Sequence, residues 1–378
     1  GGLGFSGLQI GSFFATMGVA SLFMPAVMGI IADRWVPAQK LLGICHLVSG
    51  GFLIAAAAQT QYAPLYSCML LSVMFYMPTI ALSNSVAYNA LDLAKLDSVK
   101  HFPPIRVWGT VGFICAMWVV DLGKMGLSAT QLYFSATLGL ILGLYSFTLP
   151  NCPINRSGGG KSIVDLLGLR AFALFKQRKM AIFFIFSMLL GMSLQITNAF
   201  ADGYIKSFGD TGIHGAKYLG TFGVEHSTIL ISLSQISETL CILLIPFFLK
   251  RFGIKRVMLI AMFAWVLRFA LLGAGNPGPG VWMFILSMIV YGVAFDFFNI
   301  SGSLFVEKET SAAIRSSAQG VFMIMTNGLG ALIGSYLAGW VVNHYGWPLS
   351  WYLFAGFSLV VAIVFAVIFK YKHDPNRI

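Results

Sequence analysis

Long apolar runs, each ended by a short polar turn, follow one another along almost the whole chain. Runs rich in Leu, Ile, Phe, Val, Ala and Gly lie near 8–32, 38–58, 63–90, 104–121, 128–149, 180–205, 226–249, 254–274, 280–306, 313–341 and 348–370. A bilayer core of about 30 Å needs roughly 20 apolar residues in a helix, so each run is long enough to cross it, and together they predict eleven transmembrane helices. None shows the alternating ten-residue pattern of a transmembrane barrel, so the backbone polar groups must be satisfied inside helices. The expected fold class is an all-α polytopic membrane protein.

Composition agrees: 58% of residues are hydrophobic and only 10% charged, against about 25% charged in a soluble domain. The net charge of +11 raises the question of a polyanionic partner. Nineteen of the 24 Lys and Arg fall on one set of loops, among them Arg34, Lys40, Lys95, Lys179, Lys250, Arg251, Lys255, Arg256 and Lys370. Lys124, Lys206 and Lys217 lie opposite. By the positive-inside rule the richer side is cytoplasmic, which puts the C-terminus inside and makes the charge a statement of orientation, with no nucleic-acid partner implied. Arg106 and Arg268 remain, both within spans; Arg268, in "WVLRFALL", is nearer a span end and reads as snorkelling or as half of a helix-pair salt bridge. The five cysteines have no C-x-x-C spacing and the six histidines are scattered, so neither a disulfide framework nor a metal site is indicated. No cofactor is expected. His46 reads as a helix-packing side chain.

The longest interruption, 151–179, divides five spans from six. Three regions are thereby expected: an N-terminal helical bundle over 1–150, a cytoplasmic linker over 151–179 and a C-terminal bundle over 180–378. Within the linker Val164, Leu167, Ala171 and Leu174 recur at helical spacing beside basic residues, the pattern of an interfacial helix; a plain linker is the other reading. "GIIADRWVPAQK" (29–40) follows the first span, whereas the similar "LKRFGIKRV" (249–257) follows the second span of the second half. If the two turns correspond, one helix is missing before Gly1, and the visible helices are 2–12 of twelve. Six plus six helices, each half an inverted repeat, is the organisation of the major facilitator superfamily. Gly29-Ile-Ile-Ala-Asp33-Arg34 occupies the place of that superfamily's Gly-x-x-x-Asp-Arg loop signature. Asp33 and Arg34 are candidates for a charge latch at the cytoplasmic gate, with topological anchoring as the alternative.

Few strongly polar side chains remain at membrane depth, where Asp, Arg or Lys costs about 2.5–3.5 kcal/mol on insertion scales. They cluster. "PPIRVWGTVGF" puts Arg106, Thr110 and Phe113 on one helix face; "LQITNAF" pairs Gln195 with Asn198; "SQISETL" pairs Gln235 with Glu238; "VYGVAFDFFN" brings Tyr291, Phe295 and Asn299 to a near-common face with Asp296 beside it. Facing one cavity, these groups suit an uncharged, hydroxyl-rich, planar molecule, with amides and acids for hydroxyls and ring heteroatoms and aromatic faces for stacking. A carboxyl group in such a cavity is costly to keep charged, so Glu238 or Asp296 is a candidate to take up a proton and release it when the cavity opens to the cytoplasm. The competing reading is that Arg106 neutralises an acid to hold two helices together. Asn84, Tyr88, Asn89 and Asn327 are further candidates for the cavity wall. The glycines of Gly7-x-x-x-Gly11, Gly139-x-x-x-Gly143 and "NGLGALIGSYLAG" read as close helix contacts.

A sugar symporter would also use hydroxyl-binding acids and amides. A membrane receptor would need a cytoplasmic output domain larger than 151–179, and an enzyme would need a nucleophile–base pair or metal spacing that is not visible.

"HFPPIRVWGTVGF", "AIFFIFSMLLG", "LQITN", "SQISETL", "LIPFFL", "FAWVLRFAL", "SMIVYGVAFDFFNISGSLFVEKE", "IRSSAQG" and "MTNG" closely resemble the bacterial nucleoside:proton symporters of the major facilitator superfamily, the nucleoside permease type. The resemblance runs through nearly the whole chain. It implies proton-driven uptake of purine and pyrimidine nucleosides across the bacterial inner membrane by alternating access, with nucleosides and protons as partners in the lipid bilayer. A monomer is expected. The resemblance also implies a substrate site made of Arg106, Thr110, Phe113, Gln195, Asn198, Gln235, Glu238, Tyr291, Phe295 and Asp296.

Overall fold

The computed structural model describes residues 3–371 apart from 97, 127, 155–168, 211–216 and 311–314, and the side chains of Asp33, Arg34 and Arg106 lie outside the described residues. Five helices precede the linker: α1 (Gly7–Arg34), α2 (Ala38–Ala57), α3 (Tyr62–Leu93), α4 (Ser98–Leu122) and α5 (Thr130–Ser146). After it come α6 (Arg178–Ser207), α7 (Ser227–Ala274), α8 (Val281–Glu309), α9 (Arg315–Met323), a π-helical stretch Ile324–Gly330, α10 (Ala331–Tyr345) and α11 (Leu349–Ile368). Eight described helices are long and apolar enough to cross a membrane. One of them, α7, is two arms: Gly253, at φ 75° and ψ 165°, breaks the helix inside "KRFGIKR", a backbone geometry that costs glycine little.

Local signals set the ends. Ser6 caps α1, its Oγ accepting from the Gln9 N–H at 3.3 Å while the Gln9 side chain accepts from the Ser6 N–H at 3.0 Å, a reciprocal capping box. Pro37 stands at the start of α2, where its missing N–H costs nothing.

The segments after residue 174 share one large buried cluster, from Leu174 and Phe183 to Phe365 and Phe369, while α1–α3 share a smaller one around Met24, Leu42, Cys45 and Leu82. Leu174, in the 3₁₀ stretch Leu169–Lys176, is buried, and its neighbour Phe175 packs on Phe184 with ring centroids 5.2 Å apart. Val164 and Leu167 lie outside the described residues. Leu243, Phe247, Val360 and Val367 are among many large apolar side chains left exposed, as expected where the outer solvent is lipid and not water.

Glycines let the helices meet backbone to backbone. A Cβ on Gly7 would lie 3.0 Å from the Gly339 carbonyl oxygen, and one on Gly18 would lie 2.6 Å from the Leu332 nitrogen, so α1 packs tightly along α10 and the π-helical stretch. Gly43 of α2 and Gly143 of α5 meet in the same way. His46 is buried, with its ring 6.4 Å from that of Tyr76.

Candidate functional site

The polar layer forms where α7 and α8 cross. Ser237 Oγ donates to the Ile289 carbonyl, and a Cβ on Gly292 would come within 2.6 Å of the Ser237 carbonyl oxygen. This close approach brings Glu238, next to Ser237, up to Tyr291 and Asp296, which flank and follow Gly292. Glu238 lies within electrostatic range of both Tyr291 and Asp296, and Cys241, one turn along α7, is within range of Asp296. Asp296 is 3% exposed, and its Oδ2 has no hydrogen-bond partner among the described residues. An acid so placed is costly to hold as a carboxylate unless a proton or a ligand satisfies it.

Beside the acids stands an aromatic wall. Tyr291 and Phe295 stack, one turn apart on α8, with centroids 5.8 Å apart and planes 18° from parallel. Trp265, on the second arm of α7, meets Tyr291 edge-on at 6.1 Å. Phe295 continues into a concavity that Leu194, Trp265, Asn299 and Asn327 also line. Asn327 sits on the π-helical stretch, a local widening of the helix that recurs at functional sites.

The remaining predicted residues take different places. Gln195 is buried on α6 with its amide nitrogen unpartnered among the described residues, one residue from the cavity-lining Leu194, and Asn198 is exposed. Gln235 is half-buried one turn before Glu238. Thr110 is half-buried on α4 and Phe113 is exposed. α4 runs antiparallel to the first arm of α7: Trp118 Nε1 donates to Ser232 Oγ at 2.8 Å, and Asp121 Oδ1 accepts from the Thr228 N–H at 3.2 Å. That register sets Phe113 about level with Gln235–Glu238 and Thr110 about one turn further.

Two features escaped the sequence reading. Arg268 does not snorkel: it is 1% exposed, its Nη1 donates to the Ser287 carbonyl, and its guanidinium carbon lies 4.7 Å from the centre of the Tyr291 ring. Trp265, Phe269 and Leu272 on the same arm are buried as well. The second is a polar cluster at the end of the bundle opposite the basic loops. Asp121, buried at the end of α4, pairs with His226 Nδ1 at 2.6 Å. Asp202 of α6 accepts from Ser227 Oγ at 2.6 Å and forms a 2.6 Å ion pair with Lys206. Pairs separated by 105 positions, as Asp121 and His226 are, leave no spacing pattern to read.

The helix arrangement is that of the major facilitator superfamily of secondary transporters. A crystal structure of a point variant of the nucleoside transporter NupG matches it with a TM-score of 0.93 and 50% identity, covering 97% of this chain and 92% of that one. Residues 1–374 match the family model described as Nucleoside H+ symporter, and the chain belongs to that family. Among its relatives, nucleoside permease NupG of Escherichia coli (strain K12) is 50% identical over 378 residues, covering 98% of this chain and 90% of that one. The xanthosine permease of the same organism is 48% identical over 383 residues, covering 100% of this chain and 91% of that one. The protein is a multi-pass membrane nucleoside:proton symporter, not an enzyme.

Proposed function

We propose that the nucleoside binds between the helices before and after the 151–179 linker and that Asp296 carries the coupled proton. The observation that carries this reading is the juxtaposition of a buried acid, one of whose carboxyl oxygens is unpartnered among the described residues, with Glu238 and the Tyr291–Phe295 stack. Aromatic faces take the base, and carboxylate and amide groups take ribose hydroxyls, with Arg106, Thr110, Phe113, Gln195, Asn198 and Gln235 completing the site. Purine and pyrimidine nucleosides both offer that combination. Residues 1–150 and 180–378 act as two bundles that rock about the site in the bacterial inner membrane, with the basic loops and the C-terminus on the cytoplasmic side, and the monomer is the working unit.

In proteoliposomes of the full-length protein, an inward proton gradient is expected to drive uridine uptake, and an uncoupler is expected to collapse it. Uptake indifferent to the uncoupler would remove proton coupling.

The Asp121–His226 pair and the Asp121–Thr228 and Trp118–Ser232 hydrogen bonds tie α4 to α7 across the two bundles. On the orientation above they close the external side, complementing the Asp33–Arg34 latch on the cytoplasmic side. Asp121→Ala removes the acceptor that holds both His226 and the Thr228 N–H, so the population is expected to shift toward states open at that end. Spin labels at positions 124 and 217 should then move apart; an unchanged distance contradicts the latch.

A further inference from the structure

Arg268 is the best-buried charge among the described residues and lies outside the proposed set of substrate contacts. It is 1% exposed, its Nε has no partner, and no carboxylate pairs with it among the described residues. Its Nη1 donates to the Ser287 carbonyl and approaches Met288 Sδ at 3.8 Å, and Ser287 Oγ donates back to the Arg268 carbonyl at 3.1 Å. The remaining partner is an aromatic ring: the guanidinium carbon lies 4.7 Å from the Tyr291 centroid, well inside the range of a cation–π contact, which strengthens as water is removed. Trp265, three residues earlier and on the same face of that arm, meets the same ring at nearly a right angle. Two side chains of one helix face therefore bear on Tyr291, and Tyr291 in turn stacks on Phe295.

Helix packing alone would be served more cheaply by an apolar side chain of similar length, since an unpaired buried cation carries a large desolvation cost. The cost is intelligible if the cation has a task at the ring. We propose that Arg268 is a positioning residue of the transport site, holding the Tyr291 ring, and through it the Tyr291–Phe295 wall, in the orientation that a nucleoside meets. It acts through Tyr291 and does not touch the substrate. This rests on the reading that Tyr291 belongs to the nucleoside site.

The test is a double-variant cycle on uridine affinity, measured by calorimetry on the purified full-length protein with Arg268→Met, Tyr291→Leu and both together. Each single variant is expected to weaken uridine by about tenfold, and the pair to be no weaker than Tyr291→Leu alone, because the cation has nothing left to position. Wild-type affinity in Arg268→Met, or a double variant in which the two losses multiply, overturns the inference. A merely structural arginine gives the multiplied result. If Arg268→Met is not recovered folded, Arg268→Lys, which keeps the charge and loses the planar guanidinium, completes the same cycle with the same two outcomes. Unchanged affinity in Tyr291→Leu would overturn the site reading, and this inference with it; a weakened Tyr291→Leu with multiplying losses overturns this inference alone.

Discussion

Asp296→Asn is expected to abolish proton-driven accumulation of nucleoside while leaving exchange of nucleoside across the membrane intact. The substitution keeps the shape of the side chain and removes the proton that it can carry. One charge moving through 100 mV is worth about 2.3 kcal/mol, which sustains roughly fiftyfold accumulation; without a titrating group at this position, the ratio falls to one however long uptake runs. Burial favours Asp296 over Glu238 as the proton carrier, since Asp296 is 3% exposed and leaves one carboxyl oxygen unpartnered among the described residues, whereas Glu238 is half-buried. Glu238→Gln is accordingly expected to weaken nucleoside binding. Measuring steady-state accumulation and counterflow side by side for the two variants separates the roles. Active accumulation in Asp296→Asn would move the proton elsewhere.

Gly292→Val is expected to destabilise the protein by about 3 kcal/mol and to remove transport in whatever fraction folds. At Gly292 an added Cβ meets the Ser237 carbonyl oxygen at 2.6 Å and Ser237 Oγ at 2.7 Å. Backbone cannot rotate out of the way as a side-chain tip can, so α7 and α8 must separate. The separation falls at Glu238, Tyr291 and Asp296, and it breaks the Ser237–Ile289 hydrogen bond as well. Gly51 of α2 has nothing within 4 Å of a built Cβ, so Gly51→Ala is the matched control, with stability and uptake unchanged. Thermal unfolding of the purified variants reads the first effect and uridine uptake the second. A Gly292→Val protein as stable and active as wild type would show that this crossing does not set the site.

Much of this architecture is legible in the sequence because a bilayer imposes one simple rule on backbone polar groups. The apolar runs near 180–205 and 280–306 correspond to α6 and α8, and the cost of an acid at membrane depth is enough to mark Glu238 and Asp296 alike as candidates. Helical spacing also anticipates the Tyr291–Phe295 stack, since one turn separates the two, and the glycines that bring α1 to α10. Contacts between helices are a different matter. Arg268 near a span end looks able to reach water, whereas in the fold it is 1% exposed and bonded to the Ser287 carbonyl. The run over 226–274 contains two spans, and Gly253 marks where they part, yet nothing in the spacing says that the second arm returns Trp265 and Arg268 to Tyr291. Asp121 and His226 are more distant still in the chain, and a lone histidine after a loop carries no sign of its acid. Pairings of this kind belong to the three-dimensional arrangement and have no local periodicity.

The central claim, that nucleoside entry carries a proton on Asp296, is tested most directly by following pH inside proteoliposomes, with no imposed gradient, when uridine is added outside. The wild-type protein should acidify the interior as uridine enters, and Asp296→Asn should admit uridine without acidification. Acidification by Asp296→Asn equal to that of the wild type would contradict the account.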